Sequence, residues 1–179
     1  MELTKPCEEL FEEYYHTCKE SCDHHVTEWM PFEPAHYDDW RKAILMAYAR
    51  YETGDGLSDG FPRTYTYWCT QSGTLIGEVQ LRPFLTPEEA RNWGHIAYAV
   101  RYSQWGRGWG TQLLKAAVQK LAAFGIRDIY VVCHQGNAAS IRVIEKNGGL
   151  LQASVAAQDG TAVNCYLLPV VPAEDQSLS

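Results

Sequence analysis

The run from Trp105 to Leu114, WGRGWGTQLL, constrains the fold more than any other stretch of the chain. Three glycines alternate with larger residues after a β-rich segment, GHIAYAV. The following TQLLKAAVQKLAAF sets Leu113, Leu114, Ala117, Val118, Leu121 and Ala122 at helical spacing. Gly is less favourable than Ala inside a helix by about 0.8–1 kcal/mol, so the glycines mark a place where the backbone itself must be accessible. A strand, an alternating-glycine turn and a helix together suit an anion. Without Cβ atoms the main chain can approach a phosphate, successive N–H groups converge, and the helix N-terminus adds roughly half a positive charge. Two familiar phosphate loops do not fit. A P-loop needs Lys followed by Ser or Thr, which is missing here. The dinucleotide fingerprint G-x-G-x-x-G fails in both registers: from Gly106 the last place is Thr111, and from Gly108 it is Leu113.

The rest of the chain reads α-α-β-β-β-α-β-α-β-β. Residues 5–22 and 36–52 carry apolar residues at helical spacing, among them Phe11, Tyr14 and Cys18, then Trp40, Ile44 and Tyr48. TYTYWCT and TLIGEVQLRPF flank QSG as an antiparallel hairpin, and TPEEARNW reads as a link to GHIAYAV. IRDIYVVC is a further strand. Asn137 is placed to cap AASIRVIEKN, which Gly148 closes, and LLQASVAA and TAVNCYLLP flank QDG as a second hairpin. Without a repeat or a composition boundary, residues 1–179 read as a single domain, with 1–4 and 173–179 frayed.

Hydrophobic residues make up 46% of the chain, so a packed core is expected. The acidic start lacks an apolar signal segment, and no apolar run approaches the ~18–20 residues that span a bilayer. The expectation is a cytoplasmic protein without a membrane partner, its six cysteines reduced. Cys18, Cys22, His24 and His25 do not follow a standard zinc spacing, so no metal is expected. The net charge of −7 speaks against a nucleic-acid partner. Its distribution is uneven: residues 101–148 hold seven basic and two acidic residues, a net +5, and the remainder carries −12. The basic segment suits an anionic ligand, and the acidic remainder can attract a cationic one.

The segment VRYSQWGRGWGTQLLKAAVQKLAAFGIRDIYVVCHQGNAASIRVIEKNGG resembles the cofactor-binding core of the GNAT superfamily of N-acetyltransferases. Gly108 and Gly110 match the glycines of its [QR]-x-x-G-x-[GA] pattern, Asn137 matches the later Asn, and N-x-x-S-x-x-x-x-E-K-x-G is a familiar form of its second helix. Trp105 departs from the pattern at the [QR] position. The resemblance covers residues 95–150 well and the flanks by element order. It implies an α/β (α+β) fold with a mixed, largely antiparallel central sheet flanked by helices, and acetyl-CoA as cosubstrate. The expected cofactor-binding residues are Tyr98, Ala99, Val100, Gly106, Arg107, Gly108, Trp109, Gly110, Thr111, Asn137 and Ser140. In that setting the strand before the loop splays at a bulge, its backbone holds the pantetheine arm, and the N–H groups from about Gly106 to Thr111 face the pyrophosphate.

The implied reaction passes the acetyl group directly to a primary amine of a small molecule or peptide, and a group must accept the amine's proton. Glu78, which interrupts the apolar strand LIGEVQL, and His95, which opens the strand next to the thioester, are the candidate bases; an ordered water chain is the other route. The Tyr that acts as general acid in the family falls on Ile144 here, leaving Tyr98 as the substitute. A catalytically silent acyl-CoA-binding module of the same fold is the competing reading, and a homodimer is left open. The acceptor carries no motif of its own.

Overall fold

The computed structural model describes residues 1–26, 37–58, 60–156 and 160–170. The elements run β1 (Glu2–Thr4), α1 (Phe11–Asp23), α2 (Tyr37–Thr53), β2 (Tyr65–Gln71), β3 (Thr74–Leu81), α3 (Pro87–Trp93), β4 (Ile96–Val100), α4 (Trp109–Ala123), β5 (Asp128–His134), α5 (Ala138–Lys146), β6 (Leu150–Ala156) and β7 (Ala162–Pro169). Short 3-10 turns precede α1 at Glu8–Leu10 and the glycine loop at Tyr102–Gln104. Residues 2–4, expected to fray, instead pair antiparallel with Trp68–Thr70 as an edge strand. The expected C-terminal fraying at 173–179 lies outside the described residues.

The link TPEEARNW is a helix. Thr86 accepts from Glu89 N–H at 3.2 Å while the Glu89 carboxylate accepts from Thr86 N–H at 2.7 Å, and Pro87 takes the first helical position. These three features start a helix too short for apolar periodicity to show.

The α/β architecture with antiparallel strands flanked by helices is as expected, but the sheet is parted in two. One sheet has the order β1-β2-β3-β4 and the other β5-β7-β6, every ladder being antiparallel. They are clasped where His95 N–H donates to the Tyr130 carbonyl at 2.7 Å. Beyond that point β4 and β5 share no ladder. The splay needs no bulge in β4, whose register with β3 runs unbroken from Leu81↔Ile96 to Gly77↔Val100.

Two cores lie on opposite faces of the first sheet, because side chains alternate along β2 and β3. On one face Val79, Leu81, Leu113, Leu114 and Ile144 join residues of the second sheet beneath α4 and α5. On the other, α1 and α2 cover β2 and β3 with a mostly aromatic core of Phe11, Tyr14, Trp40, Tyr48 and Trp68. Tyr14 stacks on Trp68 with ring centroids 4.5 Å apart. Gly77 permits the tight seam between β3, β4 and α4: a Cβ there would sit 2.4 Å from the Ala99 carbonyl oxygen and 2.8 Å from Leu113 Cδ1.

Candidate active site

A cavity of about 480 Å³ opens between the end of β4, the glycine loop and α5. Of the expected cofactor residues, Tyr98, Ala99, Val100, Gly106, Gly108, Trp109, Gly110, Thr111, Asn137 and Ser140 line it. Arg107 does not; it is exposed on the loop.

The loop has the geometry of an anion cradle. Gly106 and Gly108 adopt φ of +74° and +80°, a left-handed backbone that side chains strain, and an added Cβ at either would point into open space. Gly108 caps α4 without a side-chain bond to the helix. The first intrahelical bond over this turn, from Gln112 N–H to Gly108 O, is long at 3.4 Å. The N–H groups of Trp109, Gly110 and Thr111 are therefore the orphan donors of a helix start that faces a cavity. Trp109 Nε1 is a further donor, buried and without a partner among the described residues. Arg142 and Lys146 add positive charge from α5. These features fit a pyrophosphate.

Trp105, which departs from the family pattern, offers the cavity no free N–H. Its N–H is taken by the Tyr102 carbonyl at 3.0 Å, so the donor row begins after it. Its indole N–H donates to the Val100 carbonyl at 2.8 Å, folding the ring across the end of β4.

Along β4, Arg82 N–H donates to His95 O and Arg101 N–H to Ile76 O, both at 2.9 Å. Odd-numbered residues of β4 therefore bond to β3, and the two-residue alternation turns the N–H and C=O of Tyr98 and the N–H of Val100 toward the gap beside β5. These groups are placed to hold an extended chain. The polar backbone of Ala99, by contrast, belongs to the β3 ladder.

Tyr98 OH and Ser140 Oγ are hydrogen-bonded at 2.9 Å across the cavity. Burial pushes the Tyr98 phenol up to about 12, so it stays protonated at neutral pH. Asn137 caps α5 as expected, its Oδ1 accepting from Ser140 N–H at 2.9 Å, which fixes Ser140 in the first turn. Cys133 is buried, and burial raises its thiol, so it lacks the lowered pKa of a nucleophilic thiolate.

The two candidate bases part company. His95 lines no part of the cavity; it is buried, and its Nδ1 accepts from Tyr130 N–H at 3.0 Å. The lone pair that would take a proton is already engaged, and burial lowers the pKa of the ring. Its part is to clasp the two sheets. Glu78 points into the aromatic core with only 7% exposure. Its Oε2 accepts from Tyr48 OH at 2.7 Å and Trp68 Nε1 at 3.0 Å, and its Oε1 accepts from Gln80 Nε2 at 2.9 Å. Burial raises its pKa above the usual glutamate value, against the pull of those three donors. Glu78 stands directly opposite Ala99, on the sheet face that bears the aromatic core. Tyr98, packed with the other core, lies on the face toward α4. The cavity reaches both faces at the end of β4: Tyr98 lines it from one side, and Ala99, which packs against the aromatic core and stands opposite Glu78, lines it from the other.

Sequence reasoning missed Tyr48, Trp68 and Gln80 as the shell of Glu78. The alternation of YTYWCT and GEVQL could have placed Trp68 and Gln80 on one face with it; Tyr48 comes from a distant helix and left no local signal. Among the described residues no His, Cys, Asp and Glu group suits a metal. Cys18 is buried, Cys22 exposed, and His24 stacks on Tyr102 at 3.8 Å. No helix among them is long and apolar enough to cross a membrane.

Residues 1–149 match the acetyltransferase (GNAT) domain profile. No curated protein matches the sequence. Several solved structures share the fold. One is an acetyltransferase from Salmonella typhimurium that modifies the N-terminal serine of a ribosomal subunit protein, with 17% identity over 94% of each chain and a TM-score of 0.68. Another is the microcin self-immunity acetyltransferase MccE in complex with acetyl-CoA and AMP, with 15% identity over 94% of this chain and 91% of that one and a TM-score of 0.69. A third is an aminoglycoside acetyltransferase in complex with coenzyme A and kanamycin, with 23% identity over 92% of each chain and a TM-score of 0.64. With the profile covering most of its length, and with a strand–glycine-loop–helix cradle built as described above, the chain belongs to the GNAT acetyltransferase family.

Proposed function

We propose that the protein transfers the acetyl group of acetyl-CoA directly to a primary amine of a small molecule or peptide, an amine that is cationic in water. Acetyl-CoA supplies the activated thioester. The N–H groups of Trp109, Gly110 and Thr111 hold its pyrophosphate, and the gap-facing backbone of Tyr98 and Val100 aligns its arm. Positioning of two reactants contributes up to roughly 7–11 kcal/mol. The acceptor approaches from the other face of β4, where Glu78 lies.

The observation that carries this reading is the buried Glu78 carboxylate, oriented by three donors and one strand-step from Ala99 at the cavity. An amine of pKa ~10 is protonated at pH 7, and removing its proton costs about 4 kcal/mol at ~1.36 kcal/mol per unit. A glutamate with a raised pKa is a stronger base than an exposed one. On the opposite face, the protonated Tyr98–Ser140 pair donates to the sulfur as negative charge develops there.

The test is coenzyme A thiol release across polyamines, amino acids, aminoglycosides and peptide N-termini, beside thermal shift with acetyl-CoA. Release with amines, fastest for cationic ones, supports the reading. Acetyl-CoA binding with no release for any amine makes the protein a silent acyl-CoA module. Faster acetylation of anionic acceptors overturns the cationic assignment.

A further inference from the structure

Phe61, Pro62 and Arg63 lead into β2, and Arg82, Pro83 and Phe84 lead out of β3, the same residue types in opposite order. Tyr65 pairs with Leu81, so the two stretches lie side by side at the open end of the hairpin. Phe124, just past the last turn of α4, packs against them. α4 starts at the cavity and has 15 residues, so roughly 22 Å, at ~1.5 Å per residue, separates this end of the molecule from the glycine loop.

Rings gather at this end without being buried. Tyr65, Phe84 and Phe124 meet one another with centroids 5.4 to 6.1 Å apart. Phe61 meets Tyr51 at 5.3 Å and Trp93 at 6.2 Å. Phe84 is 58% exposed, Trp93 47%, Phe124 41% and Phe61 40%. Single exposed apolar side chains are ordinary on a protein surface, but rings gathered in this way mark a surface that binds. Cations stand among the rings. Arg63 lies 5.8 Å from the centre of Tyr65 and 5.3 Å from that of Phe84, and Lys120 lies 4.3 Å from that of Tyr67. Arg82 Nη1 donates to the Gly94 carbonyl at 3.3 Å. Among the described residues, none of these three cations is ion-paired. Arg63 Nε donates to the Glu52 main-chain carbonyl at 3.0 Å, while the Glu52 carboxylate is held by Lys5.

We infer that this end of the molecule docks an acidic segment of another protein, one that carries apolar side chains among its carboxylates. Aromatic residues and Arg are the side chains enriched at protein interfaces, and they dominate their energetics. The forked guanidinium takes a carboxylate with two bonds, and the exposed rings cover apolar groups beside it. Charge excludes the two other occupants. A second copy meeting this surface across a two-fold axis would set Arg63 and its neighbours against themselves. A nucleic acid would meet a chain of net −7. It would also find the rings of Tyr65, Tyr67 and Phe84 already bearing cations, where base stacking needs an open face. The surface is independent of the acetyl transfer proposed above, so neither reading falls with the other.

Selection of displayed random dodecapeptides on the full chain tests the inference. Enriched sequences are expected to hold Asp or Glu beside Trp, Phe or Leu. One such peptide, fluorescently labelled, is expected to bind Trp93→Ala and Arg63→Glu at least tenfold more weakly than the parent in fluorescence polarisation. Both side chains are exposed, so circular dichroism and acetyl-CoA titration of the variants are expected to match the parent. Peptide binding is expected to weaken with salt and to persist at saturating acetyl-CoA. Absence of enrichment, or enrichment of peptides without acidic residues, overturns the inference. So does a peptide that binds both variants as it binds the parent, or that acetyl-CoA displaces. Displacement of the peptide by an oligothymidylate assigns the surface to nucleic acid and overturns it as well. A doubled mass in light scattering that Trp93→Ala returns to 20.3 kDa assigns it to a second copy, with the same consequence.

Discussion

Gly108 is where one residue's conformation and the proposed place of the pyrophosphate coincide. Its φ of +80° disfavours any side chain, and the space a Cβ would enter is open. Gly108→Val is expected to strain the helix start and to put methyl groups where phosphate oxygens belong, weakening acetyl-CoA at least tenfold in a calorimetric titration while the protein stays folded. Unchanged affinity in a folded variant would remove the loop from the binding site. Glu78 is a different kind of residue, buried and therefore shifted. Glu78→Gln keeps its shape and is expected to lower turnover by roughly 10²-fold at saturating acetyl-CoA, with acetyl-CoA binding intact. Parental turnover would assign the proton to a water chain or another group. The same burial predicts a stability effect. The folded pKa of Glu78 lies above the unfolded value of 4.5, so the folded state binds this proton more readily, and its contribution to stability falls as pH rises through the raised pKa. The Tm of the parent relative to Glu78→Gln is expected to rise as pH is lowered toward 4.5. Glu78 was visible in the sequence as a charge inside LIGEVQL, but the sequence equally allowed it to face solvent. What decided its surroundings was Tyr48, 30 residues away on α2. For His95 the deciding contact was the Tyr130 main chain, equally remote in sequence.

At the scale of elements, local chemistry was legible where it repeats and obscure where it does not. The helical spacing from Leu113 to Ala122 placed α4, and alternation placed β2 and β3, because both patterns persist over several turns or pleats. The seven-residue α3 carries its information in the cap alone, Thr86, Pro87 and Glu89, and a reading by periodicity passes over it. β1 has only three residues, and its partner strand lies more than 60 residues later, so nothing local announced it. The splay of β4 from β5 was expected, but the bulge was not its cause; the clasp at His95 and the unbroken β3 ladder suffice. Asn137 joins an element to the site. Asn137→Ala removes the bond to Ser140 N–H and is expected to cost about 1 kcal/mol in chemical denaturation. If the cap also positions Ser140 for the cofactor, the stabilisation given by acetyl-CoA should shrink as well. A thermal shift equal to the parent's would leave Asn137 as a cap only. Thr86→Ala, far from the cavity, is expected to lose a similar ~1 kcal/mol without altering that shift.

For the whole molecule, the proposed reading has acetyl-CoA and the acceptor meet at β4, and the charge is divided on either side of it. α1 and α2 open with Glu12, Glu13, Asp38 and Asp39, whereas the basic segment 101–148 carries the glycine loop and most of the cavity lining. Arg101 ties the two together. It leaves β4 just before the glycine loop and reaches α1, pairing with Glu13 at 3.0 Å and Glu20 at 2.8 Å. Burial alone would raise the Glu20 pKa, but the bonds from Arg101 and Ser103 outweigh it and hold the group below its usual value. That clasp adds stability above pH 4.5 that is lost as pH falls through the lowered pKa, the reverse of Glu78. With the clasp holding the segment before the glycine loop to α1, the long-range field of the acidic helices is fixed relative to that loop. Charges separated by more than about 10 Å are screened at 0.1 M salt, so this field steers an approaching amine more than it binds one. The expected outcome is a kcat/KM for a polycationic amine that falls steeply as salt rises, with kcat nearly constant. A neutral hydroxylated amine of low pKa, measured in parallel, should show a shallow dependence, and the affinity for acetyl-CoA, an anion on the basic side, should weaken with salt on its own separate slope. Equal salt dependence of kcat/KM for the cationic and the neutral amine would mean that the acidic helices do not guide the acceptor, and that its recognition lies in short-range contacts around Glu78.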